Sequence, residues 1–318
     1  MGIKKLNTYL QSQCSHNAIA RVPLNHFKHK TFVIDTSIYI YKYLSEDTFL
    51  ESFMTMLAIF RQYQITPIFV FDGKPPVEKD DVLWERYQRR KDAEAKYNTM
   101  VTDLDTQELT EDEKRKEIEK MAGLKRQFVR VTDAHLQQLK QLFVNYDVQY
   151  IEAPAESDQL CAYLVKHQFA DACVSDDMDM FAYECPVIVR KLNLFHHNCL
   201  VYRTEVIKEE LQLDHFQELL MLCGTDYNTN IGWDMVTTTK RFHFYEDEKL
   251  RKQTEETSFY QWLEDHRFID AEQRTKVTRS YEMFQLPETL EYTTETTLKN
   301  DWAVLKAPLE DQGFVFAC

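Results

Sequence analysis

Four short apolar runs in this 318-residue chain each end in carboxylates, and that repeated pairing constrains the fold more than any other feature. "TFVIDTS" (31–37) contains Asp35. "PIFVFDGKPP" (67–76) ends at Asp72 and Gly73, and two prolines then stop the strand. "VQYIEAPAESD" (148–158) ends near Glu156 and Asp158, and "ADACVSDDMD" (170–179) ends at Asp177 and Asp179. Helical patterns lie between these runs. In "DTFLESFMTMLAIFRQY", Phe49, Phe53, Met56, Leu57 and Phe60 share one helix face, and "SDQLCAYLVKHQF" reads as another helix. Strands alternating with helices imply an α/β fold with a mostly parallel sheet. Ligands of such sheets bind at the carboxyl ends of the strands, where all four acidic groups fall. Two carboxylates about 4 Å apart repel by about 4 kcal/mol at an effective dielectric of about 20, so acids gathered there call for a cation.

The charge of the whole chain points the other way. There are 38 Lys and Arg against 52 Asp and Glu, a net charge of −14, which argues against a general nucleic-acid coat but leaves room for a local basic groove. That groove is expected in residues 79–130, where the composition turns charged and loses its β-branched runs. "KDDVLWERYQRRKDAEAKY" and "TEDEKRKEIEKMAGLKRQFVR" read as two helices. Lys79, Arg86 and Arg90 are spaced to share a face of the first, and Ile118, Met121, Leu124 and Phe128 form an apolar stripe on the second. A charge run of this kind is more often only a solvated face, but its position directly after Asp72 favours a role at the acidic edge.

From Leu211 onward the chain reads as helical and polar. "LLMLCGTDYNTNIGW" stands out because Gly224 and Gly232, two of only six glycines, bracket Asp226. A helix, a tight turn and a second helix starting near Trp233 are expected there. The seven cysteines are scattered with no C-x-x-C pair, which predicts core thiols in a reducing compartment. No apolar run is long enough for a membrane span and no signal peptide is evident, so an intracellular, non-secreted protein is expected.

The acids Asp35, Asp72, Glu156, Asp158, Asp177, Asp179 and Asp226 form an oxygen-only set, suited to Mg²⁺ or Mn²⁺ rather than zinc. Two such ions about 4 Å apart can drive phosphodiester hydrolysis. A basic helical pair beside them would hold a phosphate backbone.

Several motifs resemble the flap endonuclease, or XPG-like, family of structure-specific 5′ nucleases: "MGIKKL" its opening, "VIDTSIYIY" and "VFDGKPP" its first two acidic strands, "APAESDQLCAYL" its Glu-x-Glu helix start, "SDDMDMF" its acidic turn and "LCGTDYN" its Gly-Ser-Asp-Tyr segment. "VTDAHLQQLKQLF" and "YEMFQLPE" also read as family segments, so the resemblance runs from Met1 to about Pro287. It implies a PIN-like sheet flanked by helices, with a helical arch inserted at 79–130 between two parts of the nuclease domain (1–78 and 131–210) and a helical C-terminal part at 211–318. It also implies two Mg²⁺ ions held by the seven acids, with Asp158 replacing a Glu. Lys79 and Arg86 fall on the phosphate-steering positions and Tyr41 on a base-stacking tyrosine. Arg90, Lys240 and Arg241 are further nucleic-acid contacts. The expected substrate is DNA with a 5′ flap or a single-strand/double-strand junction, cut by a monomer in replication or repair, in the nucleus or at a site of viral DNA replication.

The sequence also departs from the family. The segment between Tyr41 and Asp72, which forms the wedge that opens a junction, is short. The duplex-gripping turn reads "NIGWDMVTTTKRF", without one glycine and the proline that the family carries there. The tail shows no sliding-clamp box. These departures keep two alternatives open: an RNA endonuclease on the same scaffold, as in some viral relatives, and a silent nucleic-acid-binding module.

Overall fold

A computed structural model of the chain describes residues 2–3, 5–106, 110–228, 231–252 and 257–295. The expectation of a tail without a clamp box falls outside these residues. In chain order the elements are α1 (Leu6–Gln13), β1 (Ile19–Pro23), β2 (Thr31–Asp35), α2 (Thr36–Ser45), α3 (Phe49–Gln62), β3 (Thr66–Phe71), α4 (Asp80–Thr106), α5 (Glu111–Lys125), α6 (Asp133–Asn145), β4 (Gln149–Glu152), α7 (Ser157–Lys166), β5 (Ala172–Val174), β6 (Val187–Asn193), β7 (Asn198–Arg203), α8 (Thr204–Leu211), α9 (Phe216–Leu222), α10 (Met235–Lys252), α11 (Phe259–Asp265), α12 (Ala271–Met283) and β8 (Thr293–Glu295).

The strands form one sheet of order β1-β7-β6-β5-β2-β3-β4-β8. Its centre, from β6 to β4, is parallel. Of the parallel strands, β2, β3 and β5 carry unbroken apolar runs because both of their faces are covered. Along β2, Val33 enters one core with α1, α7 and α9, while Phe32 and Ile34 enter the other with α3 and α6. Phe53, Met56, Leu57 and Phe60 of α3 are buried in that second core, as their spacing predicts.

Both edges are antiparallel, β7 and β1 on one side and β8 on the other. This was not anticipated. The runs "VIVRKLN" and "NCLVYR" form a hairpin that turns back through His197, whose φ is 48°. β8 returns the C-terminal part to the sheet beside β4, so that part is not wholly helical.

Helices α4 and α5 pack on each other more than on the body. Thr110 starts α5 with a reciprocal capping box to Glu113. The expected apolar stripe of α5 is only half used: Met121, Leu124 and Phe128 are half-buried, with Phe128 5.4 Å from the Tyr97 ring, but Ile118 is exposed. Six cysteines among the described residues are free thiols, five of them buried. Among the described residues no helix is long and apolar enough to cross a membrane.

Candidate active site

Parallel registration brings the acidic strand ends together. Asp35 closes β2, with β3 on one side and β5 on the other. Asp72 follows β3, Glu156 and Asp158 open α7 after β4, and Asp177 and Asp179 follow β5. Asp226 arrives separately, from the tight turn after α9 that is pinned by paired Thr225 and Asn228.

The acids differ sharply in environment. Asp35 is buried and accepts hydrogen bonds from Ser157 Oγ (3.1 Å) and Ser175 Oγ (3.0 Å). Burial first, then the charges of Asp72 and Asp177, push its carboxyl up to about 7. Asp72 is more exposed and accepts from Ser157 N–H (2.9 Å), Ser157 Oγ (2.6 Å) and Ser37 Oγ (2.5 Å). Ser157 has one hydroxyl proton for two carboxylates, so it ties Asp35 to Asp72 without satisfying both. Burial and neighbouring carboxylates also raise Asp158 and Asp179 well above the carboxylate range. Among the described residues, Asp158 Oδ1 and Asp179 Oδ1 are buried without a hydrogen-bond partner.

The basic foot of α4 reaches into this cluster. Lys79 lies in a 3-10 turn just before α4, and it is buried. Its Nζ is 2.5 Å from Glu156 Oε1, 3.4 Å from Asp226 Oδ2 and 5.3 Å from the centre of the Tyr227 ring. Burial alone would lower the Lys79 ammonium, but the charge of Glu156, the hydrogen bond to it and the charge of Asp226 more than reverse this and hold it charged. Arg86 Nη2 is 2.6 Å from Asp226 Oδ2. Tyr227 donates its hydroxyl to Glu156.

Among the described residues no three His, Cys, Asp or Glu side chains are already drawn together as a metal-ligand group. The donor chemistry nevertheless fits a hard divalent cation. The donors are all oxygen, two buried carboxylate oxygens lack partners, and two of the carboxylates carry Lys79 and Arg86 as counter-charges.

The other expected contacts are spread out. Tyr41 lies on α2 and is 44% exposed, so it is not a core side chain. Arg90 turns its Nε to the Arg86 carbonyl, 3.3 Å away. Lys240 is exposed on α10. Arg241 packs between the rings of Trp233 (3.7 Å) and Phe268 (4.5 Å), so much of its guanidinium is spent inside the fold. Asp176, beside Asp177, accepts from Lys191 N–H (2.8 Å).

Several site residues were not singled out from the sequence. Ser37, Ser157 and Ser175 carry the hydrogen bonds that orient Asp35 and Asp72. Their only signal was adjacency, in "DTS", "ESD" and "VSD". Gly2 has φ +75°, and a side chain on it would lie 2.3 Å from Asp177 Oδ1 and 2.6 Å from Asp179 Oδ1. The start of the chain is therefore a wall of the site. Gly73 is required for a similar reason, since a Cβ there would lie 2.0 Å from the Ala153 carbonyl oxygen.

The chain matches the family description "XPG N-terminal domain" over residues 1–93 and "XPG I-region" over residues 147–226. It is 30% identical over 262 residues to "Flap endonuclease 1" of Komagataella phaffii, covering 76% of this chain and 67% of that one. It is 26% identical over 283 residues to "Probable RAD2-like endonuclease 369L" of Invertebrate iridescent virus 6, covering 73% of this chain and 68% of that one. The fold superposes on the catalytic core of Rad2 in complex with DNA substrate with a TM-score of 0.68 at 21% identity, covering 98% of this chain and 96% of that one. Matches to other curated flap endonucleases span as little as 59% of their length.

Proposed function

The chain belongs to the XPG and flap endonuclease family of structure-specific nucleases, and from that premise we propose that it hydrolyses DNA phosphodiester bonds near 5′ flaps or single-strand/double-strand junctions, using two Mg²⁺ ions. The observation that carries this reading is Lys79 and Arg86 reaching Asp226 from the foot of α4. It supports a pocket in which candidate phosphate-binding cations stand beside a candidate metal-binding carboxylate. The ions would be held by Asp35, Asp72, Glu156, Asp158, Asp177, Asp179 and Asp226. The chemistry such ions supply when bound is activation of water and stabilisation of the leaving oxygen.

The rest falls to this chain's own groups. Ser157 and Ser175 fix the Asp35 carboxylate, and Ser157 and Ser37 fix that of Asp72, before substrate arrives. Preset acceptors avoid reorganisation during the reaction. Tyr227 holds Glu156 and offers its ring face to the Lys79 ammonium, so that the ammonium swings within a small arc between carboxylate and phosphate. Arg86 presents a planar fork that matches phosphate geometry. Tyr41, exposed on α2, stacks an unpaired base. The similarity to a DNA-bound Rad2 core and to flap endonucleases supports DNA as substrate and an intracellular setting, nuclear or at a site of viral DNA replication.

The test is digestion of labelled 5′-flap DNA, single-stranded DNA and single-stranded RNA by wild type and Asp179→Asn, with Mg²⁺ or EDTA. Flap DNA should be cut by wild type alone, and only with Mg²⁺, while the variant keeps its circular dichroism spectrum. Preferential RNA cutting would replace the DNA assignment. Near-normal cutting by Asp179→Asn would remove the assigned site.

A further inference from the structure

Three consecutive residues of β6 hold the acidic turn that follows β5. The Val189 carbonyl accepts from Ser175 N–H (3.2 Å), Arg190 Nη2 donates to the Asp176 carbonyl (2.6 Å), and Lys191 N–H donates to Asp176 Oδ1 (2.8 Å). The first and last of these come from the β6 backbone; Arg190 alone contributes a side chain. Within the turn, Asp177 N–H donates to Ser175 Oγ (3.1 Å) and Asp179 N–H to Asp177 Oδ1 (3.1 Å). The placement of Ser175 and Asp176 is therefore passed on to both acids.

Arg190 is 7% exposed and makes no ion pair among the described residues. The other arm of its guanidinium reaches α1, where Nη1 donates to Asn7 Oδ1 (2.9 Å). Tyr202 of β7 donates to the same Asn7 oxygen (2.6 Å), accepts from Gln11 Nε2 (3.1 Å), and has its ring centre 5.6 Å from the guanidinium. One buried side chain thus joins α1 to the acidic turn, and the chain start before α1 lies against Asp177 and Asp179 at Gly2. A buried charge with only neutral partners is a poor source of stability, and an apolar side chain in its place is often no worse. What the guanidinium does supply is a rigid fork that holds two acceptors at a fixed separation.

We infer that Arg190 is a positioning residue of the metal site: its fork fixes α1 and the turn 175–179 against each other, and so sets the spacing of the Asp177 and Asp179 oxygens. The inference rests on the proposed metal site and adds α1 to the parts on which ion affinity depends.

Calorimetric titration of the full chain with Ca²⁺ tests this in wild type, Arg190→Met, Arg190→Lys, Asn7→Leu and the Asn7→Leu, Arg190→Met double variant, with melting temperatures measured in EDTA. Arg190→Met should weaken Ca²⁺ binding by about tenfold, the lower end of the range for removing a group that orients a metal ligand. Asn7→Leu should weaken it in the same direction, and the double variant should be no weaker than Arg190→Met, because both changes break one link. Arg190→Lys keeps the charge without the fork and should recover only part of the loss. If Arg190→Met does not fold, Asn7→Leu and Arg190→Lys carry the comparison. Losses that multiply in the double variant, full recovery by Arg190→Lys, or lowered melting temperatures with unchanged Ca²⁺ affinity overturn the positioning role and leave the metal site intact. Wild type that binds no Ca²⁺ overturns the metal site itself, and the inference with it.

Discussion

At the scale of the residue, carboxylates were the easiest part of the site to find. Six of the seven acids lie at or after the end of a β-rich run, Asp226 alone following a helix, and repulsion among gathered carboxylates gives their placement a physical meaning. The serines were invisible because a hydroxyl beside an acid is ordinary in any loop; only Ser157 Oγ lying between Asp35 and Asp72 shows its task. The environment of Asp35 makes a testable prediction. Its carboxyl is raised from 3.8 to about 7 in the folded protein, burial being the first cause. Between those values the folded state keeps a proton that the unfolded chain has lost. The contribution of Asp35 to stability is thus present below the unfolded value and lost as pH rises through about 7. In EDTA, Asp35→Asn should therefore gain stability over wild type as pH rises from about 4 to about 8, by at most about 4 kcal/mol. Urea unfolding of both proteins across that range checks it, and a pH-independent difference would contradict the assigned environment. Gly2 makes a complementary prediction. Gly2→Ala puts a methyl against Asp177 and Asp179 at a left-handed backbone position, so activity should fall steeply while the melting temperature changes little.

At the scale of the element, the central strands and the long helices were legible because periodicity is a local signal. The edge strands were less so. β1, β7 and β8 pair antiparallel at the sheet edges, and only the tertiary partner distinguishes such runs from loops. The spacing of Lys79 and Arg86 predicts one shared helix face, whereas Lys79 sits in the 3-10 turn before α4, and that Glu156 and Asp226 would hold the two could not be read from spacing. This contact leads to a prediction for the foot of α4. Lys79→Ala and Arg86→Ala should slow single-turnover cleavage by about a hundredfold, the scale for losing one preset charge at a reacting centre, with a much smaller change in substrate affinity. Lys79→Ala should also tighten binding of Ca²⁺, used as a non-reactive divalent ion, because it removes the cation that competes for Glu156. Calorimetric titration reads the second effect. Weaker Ca²⁺ binding in Lys79→Ala would mean that Lys79 organises the carboxylates rather than competing for them.

At the scale of the whole molecule, two parts separated along the chain must act at a fixed spacing if junctions are to be read. The first is the α2–α3 hairpin before Asp72, joined through only Glu46, Asp47 and Thr48. The second is the turn between α9 and α10, where Gly224 and Gly232 adopt positive φ values of 88° and 58°. Asp234 caps α10 by accepting from Thr237 N–H at 2.9 Å, and Arg241 is held between Trp233 and Phe268. That turn is thus built for internal packing, and Lys240 remains as its exposed cation from the expected basic pair. If these are the parts that read a junction, the short hairpin offers little surface to part a duplex, and among its described residues the turn offers few groups to grip one. On the proposed function, which rests on the acids and the foot of α4, cleavage of any frayed 5′ strand should persist. We therefore expect pseudo-Y and single-stranded DNA to be cut at rates within about tenfold of a double flap, a difference of about 1.4 kcal/mol. Exchanging K⁺ for Na⁺ should change the rate little, because the turn has lost the glycine and proline chemistry that lets backbone carbonyls converge on an ion. Parallel single-turnover assays on the three substrates in each salt decide the matter. A single cut confined to the double flap, with strong K⁺ stimulation, would place the junction reading in surfaces other than the hairpin and this turn.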